Sequence, residues 1–178
     1  MTYVRPALLE DIPALERLIP DSVRALQSAD YSLEQIEGAL GTVFGVDRQL
    51  ILDGTYFVVI DQGMVIACGG WSRRRTPFGS DHTPVKDDAV LDPSRDPAKI
   101  RAFFVHPAYA RRGIGTKLLN ACEEACKASG FTRLELTATL TGEHLYARRG
   151  FQAAERFEVP LSNGHRLPVV RMLRVLSP

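Results

Sequence analysis

The spacing of apolar residues along the chain changes several times and predicts helices and strands in turn. Near the start, Thr2 to Arg5 predicts a short strand. Asp11 then precedes a run in which apolar side chains recur every three or four positions, the period of a helix face. We expect Asp11 to cap this helix and Pro20 to kink or break it, with a continuation through Val23 and Leu26. The apolar face of this first helix is formed by Ile12, Leu15, Leu18 and Ile19.

A second helix is predicted from Ser32, because Ser32 and Gln35 have the spacing of a capping box. The period then changes to that of strands. Tyr56 to Ile60 and Met64 to Trp71 flank an Asp-Gln-Gly turn, which predicts a β-hairpin. The apolar positions of the second helix are Leu33, Ile36 and Leu40.

The segment from Thr76 to Ala98 has no periodic pattern and contains four prolines and five aspartates. Irregular connections of this length inside a domain are usually functional lids or disordered segments. A substrate-facing lid and a solvated excursion remain equally open. The preceding Arg73, Arg74 and Arg75 form either a solvated edge that discourages strand pairing or a grip for an anionic group on a substrate.

The second half of the chain alternates strands with helices. Ile100 to Val105 and Arg133 to Ala138 predict strands, and the segment between them predicts a helix from Gly115 to about Ser129. Leu140 to Arg149 predicts a short helix, and Phe157 to Leu161 with Arg166 to Val175 predict a terminal hairpin. The whole chain, residues 1–178, is therefore expected to form one α/β domain, a mixed sheet with helices on both faces.

Between the fourth strand and the third helix lies the sequence VHPAYARRGIG, residues 105–115. Its glycines allow backbone N–H groups to approach an anion, and the helix N-terminus and two arginines add positive charge. This combination favours a phosphate site. The nucleotide P-loop is excluded because no Gly-Lys-Ser/Thr follows, and the dinucleotide fingerprint because its third glycine is missing. These residues alone are also compatible with an ordinary tight turn whose arginines are solvated.

The composition limits the possible partners of the chain. Of 178 residues, 45% are hydrophobic and 24% charged, and the net charge is +1, so nothing in the overall charge favours nucleic acid or an anionic membrane. No apolar signal core or membrane-length run is present, and the cytoplasm is the expected compartment. Three cysteines without paired spacing predict neither a disulfide framework nor a metal site, and we interpret Cys68, Cys122 and Cys126 as buried apolar residues.

This element order, with Arg-Arg-Gly-Ile-Gly at its centre, resembles the GNAT superfamily of acetyl-CoA-dependent N-acetyltransferases. Two segments carry the resemblance: Phe104 to Gly115, an apolar strand, x-Pro and glycine loop, and Leu145 to Phe151, which reads LYARRGF. They lie about 35 residues apart, as in the family. The sequence departs from the family at Ala110, where Gln or Arg is usual, and at Thr139, where Asn is common.

The resemblance implies a GNAT fold, with a mostly antiparallel sheet whose central strands splay apart, and acetyl-CoA as co-substrate without a metal. Phe103, Phe104 and Val105 would offer main-chain groups to the pantetheine arm, and a backbone N–H near Val105 would stabilise the oxyanion. One of the two phenylalanine side chains is expected in the core and the other near substrate. Tyr146 would be the general acid, with a packed aromatic hydroxyl as the alternative. The expected contacts to the cofactor phosphates and arm are Arg111, Arg112, Gly113, Ile114, Gly115, Thr116 and Thr139.

The sequence does not single out a general base or an acceptor. The acceptor is expected to be a small-molecule or peptide amine, with no nucleic acid or membrane partner and a possible homodimer. A non-catalytic acyl-CoA sensor and an enzyme using another acyl group remain alternatives. A water chain could replace a side-chain base. The candidate bases are Glu135, Glu143, His144, Asp81, His82, Asp87, Asp88 and His106.

Overall fold

A seven-stranded sheet forms the centre of the protein in the computed structural model, which describes residues 1–84 and 86–178. The strand order is β1-β2-β3-β4-β5-β7-β6, and every neighbouring pair is antiparallel except β4 and β5. The strands are β1 Thr2–Pro6, β2 Tyr56–Asp61, β3 Met64–Ser72, β4 Ala98–Val105, β5 Arg133–Thr139, β6 Gln152–Pro160 and β7 Arg166–Val175.

Helices cover both faces of this sheet, as the sequence predicted. They are α1 Ile12–Leu26, α2 Leu33–Ala39, α3 Arg48–Leu52, α4 Ile114–Ala128 and α5 Glu143–Arg148, with 3-10 turns at Leu9–Asp11 and Pro107–Tyr109. Leu15, Ile19 and Val23 of α1 belong to one apolar cluster, and Leu119 and Cys122 of α4 to another. The sheet therefore separates two cores.

The predicted hairpins and the capping box are confirmed. Ser32 Oγ accepts from Gln35 N at 3.1 Å, and Gln35 Oε1 accepts from Ser32 N at 2.9 Å. Pro20 lies inside a continuous α1, so the predicted continuation to Leu26 is also confirmed. The three cysteines are free and buried, as interpreted.

Several local predictions were wrong for identifiable reasons. Asp11 does not cap α1, because Arg5 and the Leu8 N–H already occupy its carboxylate. Leu33 is 68% exposed and takes no part in the apolar face of α2. The five-residue α3 was missed, since it is too short to show a helical period.

Boundaries shifted at three other elements. Helix α4 begins at Ile114, before the predicted Gly115, because Gly113 takes the left-handed conformation that starts it. Helix α5 covers only Glu143–Arg148 of the predicted Leu140 to Arg149. Strand β6 begins at Gln152, ahead of the predicted Phe157, and its first five residues are exposed, so no apolar alternation announces it.

The two parallel central strands diverge soon after they meet. Ala98, Lys99 and Ile100 pair with Leu134 to Leu136, and beyond them no pairing joins β4 to β5. A β-bulge in β4 lies at this point. Arg101 pairs with Gly70 and Phe104 with Cys68, so β4 has one more residue between these pairs than β3 has. At the bulge Ala102 has a φ of 58°, which is strained for alanine. The Tyr56 hydroxyl donates to the Ala102 carbonyl at 2.7 Å and holds it there. The result is a wedge-shaped gap in the middle of the sheet.

Candidate active site

A cavity occupies the gap between the diverging strands. Its walls come from β4 and β5, from the start of α5, from the end of α1 and from the irregular segment after β3. Phe103, Phe104, Thr139 and Tyr146 line it, so four residues predicted from the sequence lie around one space. A slender molecule could run between the strands here without breaking any sheet hydrogen bond.

The glycine loop stands at the end of β4 and presents a row of unused donors. No N–H group from Arg111 to Thr116 donates to a backbone or side-chain acceptor among the residues that the structure describes. The first regular bond at this helix end runs from Lys117 N to the Gly113 carbonyl at 3.0 Å. Six consecutive free N–H groups at the N-terminus of a 15-residue helix favour an anion.

Backbone conformation gives this loop its shape. Gly113 has a φ of 78° and Arg111 a φ of 59°, both in the left-handed region. For arginine this conformation costs on the order of 1–2 kcal/mol, and strain of this kind concentrates at ligand-binding turns. Both Arg111 and Arg112 are exposed and have no ion-pair partner among the described residues. The Arg112 guanidinium lies 5.6 Å from the centre of the Tyr109 ring.

Ile114, Gly115 and Thr116 contribute differently to the loop. The Ile114 side chain is 7% exposed and packs in the core, so only its backbone can meet a ligand. A Cβ on Gly115 would lie 3.0 Å from Leu145 Cδ2, so the glycine allows α4 and α5 to approach closely. Thr116 is half-buried in the first turn of α4.

The two phenylalanines of β4 point to opposite sides of the sheet. Phe104 is 6% exposed and packs edge-on against Phe44 at 6.0 Å. Phe103 lies over Gly69, where a Cβ would be only 2.5 Å from its ring, and meets Tyr146 at 6.1 Å. Both residues line the cavity.

The Val105 N–H, predicted to face the acetyl carbonyl, already has a partner. It donates to Ser22 Oγ of α1 at 3.2 Å. Ser22 is 4% exposed, and no pattern in the sequence predicted this contact. The Val105 N–H could therefore stabilise the oxyanion only if its hydrogen bond to Ser22 Oγ were broken.

Tyr146 sits on α5 beneath the cavity, between the rings of Phe103 and Phe151. Its hydroxyl makes no hydrogen bond with any residue that the structure describes. Burial, with a smaller contribution from Cys122, raises the pKa of this phenol well above its usual value. Thr139 is nearby and its Oγ1 accepts from Gly142 N at 3.0 Å, which shapes the turn into α5. Tyr146 is thus a neutral hydroxyl available to a molecule in the cavity.

The sequence of the chain matches the model of a known protein family. The model of the acetyltransferase (GNAT) family matches residues 21–151, which is more than half of the chain and includes the gap, the glycine loop and Tyr146. The chain belongs to the GNAT acetyltransferase family. No curated protein matches it significantly in sequence.

Solved structures of GNAT enzymes share the complete fold. A GCN5-related N-acetyltransferase from Rhodopseudomonas palustris is 26% identical, with a TM-score of 0.73 over 99% of this chain and 96% of the other. The PaiA N-acetyltransferase from Thermoplasma acidophilum, solved with coenzyme A, is 15% identical, with a TM-score of 0.68 over 98% and 99%. YncA from Salmonella typhimurium, solved with acetyl-CoA, is 16% identical, with a TM-score of 0.63 over 99% and 94%.

None of the candidate bases of this GNAT domain lines the cavity. Glu135 is held between Lys99 and Arg171, and Glu143 is paired with Arg156. The remaining candidates lie on the surface or in local turns. Asp81 pairs with Arg48 at 3.1 Å, His106 Nδ1 accepts from Ala108 N at 3.1 Å, and His144, His82, Asp87 and Asp88 are exposed.

A buried ion pair beside the cavity was missed by the sequence analysis. Arg101 is 3% exposed and donates to Asp47 Oδ2 at 3.0 Å and to the carbonyls of Thr76 and Gly79 at 3.1 and 2.8 Å. Lys86 approaches the other Asp47 oxygen at 3.4 Å. Burial lowers the pKa of Arg101, and Asp47 opposes that effect. Because Arg101 lies in an apolar strand and Asp47 is 54 positions away, only the fold brings them together.

Arg101 also fixes part of the irregular segment against the GNAT sheet. Pro77, Phe78 and Gly79 form a wall of the cavity, and Phe78 lies 6.5 Å from the ring of Phe157. This portion faces the site, as the lid interpretation required, whereas Asp87 to Val90 are exposed.

The arginine run before this segment does not line the cavity. Arg74 bonds both oxygens of Asp53 at 2.8 and 2.9 Å, and the Arg73 guanidinium lies 5.3 Å from the Trp71 ring. Trp71 is 2% exposed and belongs to the core. These arginines therefore fasten the end of β3.

Two further properties concern the described residues as a whole. They bring together no group of three His, Cys, Asp or Glu side chains that could hold a metal. Within the same residues, no helix combines the length and apolar character that crossing a membrane requires.

Proposed function

We propose that this GNAT domain transfers the acetyl group of acetyl-CoA to a primary amine by direct attack in a ternary complex. One observation carries the proposal: Tyr146 lines the gap beside β4, its hydroxyl unbonded among the described residues, and the loop with six free N–H groups follows the same strand. A path along β4 from this loop to the gap suits a molecule with a pyrophosphate at one end and a thioester at the other. The three features also fit coenzyme A by chemistry, because they offer anion donors, strand edges and a hydroxyl in that order.

Each part of the path would have a separate task. The N–H groups of Arg111 to Thr116 bind the pyrophosphate, assisted by the guanidinium groups of Arg111 and Arg112. The edge of β4 from Phe103 to Val105, which β5 does not pair with, aligns the pantetheine arm, and Thr139 borders it from β5. The neutral amine then enters from the side of Phe44 and Phe78 and attacks the thioester carbon.

Tyr146 would assist departure of the thiolate. A thiol has a pKa of about 8.5, and a phenol near 10 or above remains protonated beside it. Since burial raises the Tyr146 pKa further, the hydroxyl stays a donor throughout the neutral and mildly alkaline range. It therefore stabilises the forming sulfur anion by hydrogen bonding. As the tetrahedral species collapses, the C–S bond breaks and Tyr146 gives its proton to the sulfur. The proton that the attacking nitrogen releases restores the phenol, so the products are the amide and the free thiol.

The test is acetyl-CoA-dependent acetylation, followed as release of the coenzyme A thiol with a panel of amines. The Tyr146→Phe variant should lower kcat about 100-fold with little change in the Kd for acetyl-CoA, because only the hydroxyl is lost. Tyr3→Phe is the matched control, since Tyr3 is 54% exposed on the edge strand. Unchanged turnover of Tyr146→Phe would remove its role as acid.

The same assay distinguishes acyl groups. Acetyl-, propionyl- and succinyl-CoA should be compared at equal concentration, with calorimetric Kd values alongside. Faster turnover with a larger acyl group would replace acetyl in the proposal. If the wild type transferred no acyl group to any amine while binding acetyl-CoA, the transferase proposal would be wrong.

A further inference from the structure

We infer that the acceptor is an α-amino compound, an amine next to a carbonyl group, and that it binds as the neutral amine between Gln27 and Arg101. This inference rests on the proposed acetyl transfer and specifies its substrate class. It comes from the charge of the cavity and from unpartnered polar atoms on two of the residues that line it.

The cavity has an unusual charge for a site that receives an amine. Arg101 is the one charged side chain among the described residues that line it, and Tyr146 is the other ionisable one. Behind Arg101 lie Asp47, Lys86 and the Tyr56 hydroxyl, so the group carries two cations and one carboxylate. An alkylammonium ion entering here would meet a buried cation and no carboxylate or imidazole able to take its proton.

Two buried polar atoms beside the cavity have no hydrogen-bond partner among the described residues. They are Oε1 of Gln27, a residue only 8% exposed, and Nε of Arg101, which is 3% exposed. Buried polar groups in folded proteins are almost always satisfied, so each orphan indicates a missing partner. Both residues line the same cavity.

The two unpartnered atoms differ in chemistry and would therefore bind different parts of a ligand. Gln27 carries an amide oxygen, which accepts from an amine N–H. Arg101 Nε–H is a donor and suits a carbonyl or carboxylate oxygen. An amine with a carbonyl group on the adjacent carbon supplies both partners.

The remaining walls suit the side chain of such a compound. Phe44, Phe78, Val43, Val159 and Val169 line the cavity and are apolar. An apolar or aromatic substituent would be buried against them and would gain from leaving water.

The neutral-amine requirement has a large effect at physiological pH. An α-amino group beside a peptide carbonyl has a pKa of about 7.8, and an alkylamine such as a lysine side chain about 10.4. At pH 7.5 about a third of the first and about one part in 800 of the second are neutral, a ratio of roughly 250. The cavity would favour the first class by this factor before any contact is counted.

A matched pair of acceptors tests the inference: phenylalaninamide and 2-phenylethylamine, which differ in the carboxamide. We expect kcat/KM at pH 7.5 to be at least 100-fold higher for phenylalaninamide. The pH at which kcat/KM levels off should follow the pKa of each amine. After correction for the neutral fraction, a preference of up to about tenfold should remain, the effect of one hydrogen bond to Arg101.

Two variants of Gln27 locate the effect in the cavity. Gln27→Met keeps the volume and removes the acceptor, so kcat/KM for phenylalaninamide should fall about tenfold with an unchanged Kd for acetyl-CoA. Gln27→Glu adds a carboxylate and should reduce the preference for phenylalaninamide over 2-phenylethylamine at least tenfold. Gln152→Met, at the exposed start of β6, is the control. Arg101 is not substituted, because its loss would leave Asp47 buried beside Lys86 alone.

The outcomes separate this inference from the proposed function. Three results would overturn the inference and leave acetyl transfer intact. They are equal or faster acetylation of 2-phenylethylamine by the wild type, an unchanged kcat/KM for phenylalaninamide in Gln27→Met, and an unchanged preference in Gln27→Glu. Absence of acetylation with every amine tested would overturn the proposed function, and the inference with it.

Discussion

Removal of the Arg111 side chain tests how the phosphates of acetyl-CoA are held. Arg111 is exposed, has no ion-pair partner among the described residues, and follows Ala110, the position where GNAT proteins usually supply a donor side chain. If Arg111 takes over that contact, Arg111→Ala removes one charge-assisted hydrogen bond. Such bonds contribute about 1.5–3 kcal/mol, and the exposed position favours the lower end, so the Kd for acetyl-CoA should rise about tenfold.

The measurement is calorimetric titration with acetyl-CoA at two salt concentrations. Wild-type affinity should fall more steeply with salt than that of Arg111→Ala, because the variant has one phosphate-facing charge fewer. Arg111→Lys should give an intermediate Kd, since it keeps the charge and loses the fork of donors.

A control with the same change of charge excludes a general electrostatic effect. Arg75 is exposed and follows β3 beyond Ser72, which pairs with Lys99 at the start of β4. The glycine loop follows the other end of β4, so Arg75→Ala should leave the Kd unchanged. An unchanged Kd in Arg111→Ala as well would refute the reasoning and assign the phosphates to the backbone N–H groups alone.

Three other predictions concern stability and reactivity. Bonding to Arg5 lowers the pKa of Asp11. This carboxylate therefore stabilises the fold at pH values above its unfolded-state pKa, near 3.9, and the stabilisation is lost as the pH falls through its folded pKa. Asp11→Asn should lower the free energy of unfolding by about 1 kcal/mol at pH 7. Denaturant titrations should show no difference between the two proteins once both are compared below the folded pKa. Gly115→Val should destabilise the domain by about 1–3 kcal/mol and raise the Kd for acetyl-CoA, because its Cβ would crowd Leu145; equal stability would show that α5 moves freely. Burial raises the pKa of Cys68 to about 12, so the three cysteines should react with a thiol reagent only after unfolding, and fast labelling of the native protein would contradict their burial.

The local patterns along the chain were sufficient for most of the fold. Helices α1 and α4 bury a continuous apolar face, and such faces repeat with a period that a sequence displays directly. Strand β6 fails this test because its first residues are exposed, and α3 because five residues are too few. The glycine loop was found for a related reason: Gly113 satisfies a backbone requirement that is local to the loop, a φ of 78°.

Most of the elements, their order and the loop with its free N–H groups could be read from the sequence, because hydrogen bonding within a helix and the conformations of glycine depend on near neighbours. Tertiary structure alone decided the contents of the cavity. Gln27 ends α1, Arg101 lies in β4, and the partner of Arg101, Asp47, precedes α3. These residues come together only because of how the strands and helices pack. Their burial makes an unbonded amide oxygen or guanidinium N–H energetically unfavourable, and a bound ligand would supply the missing hydrogen bond.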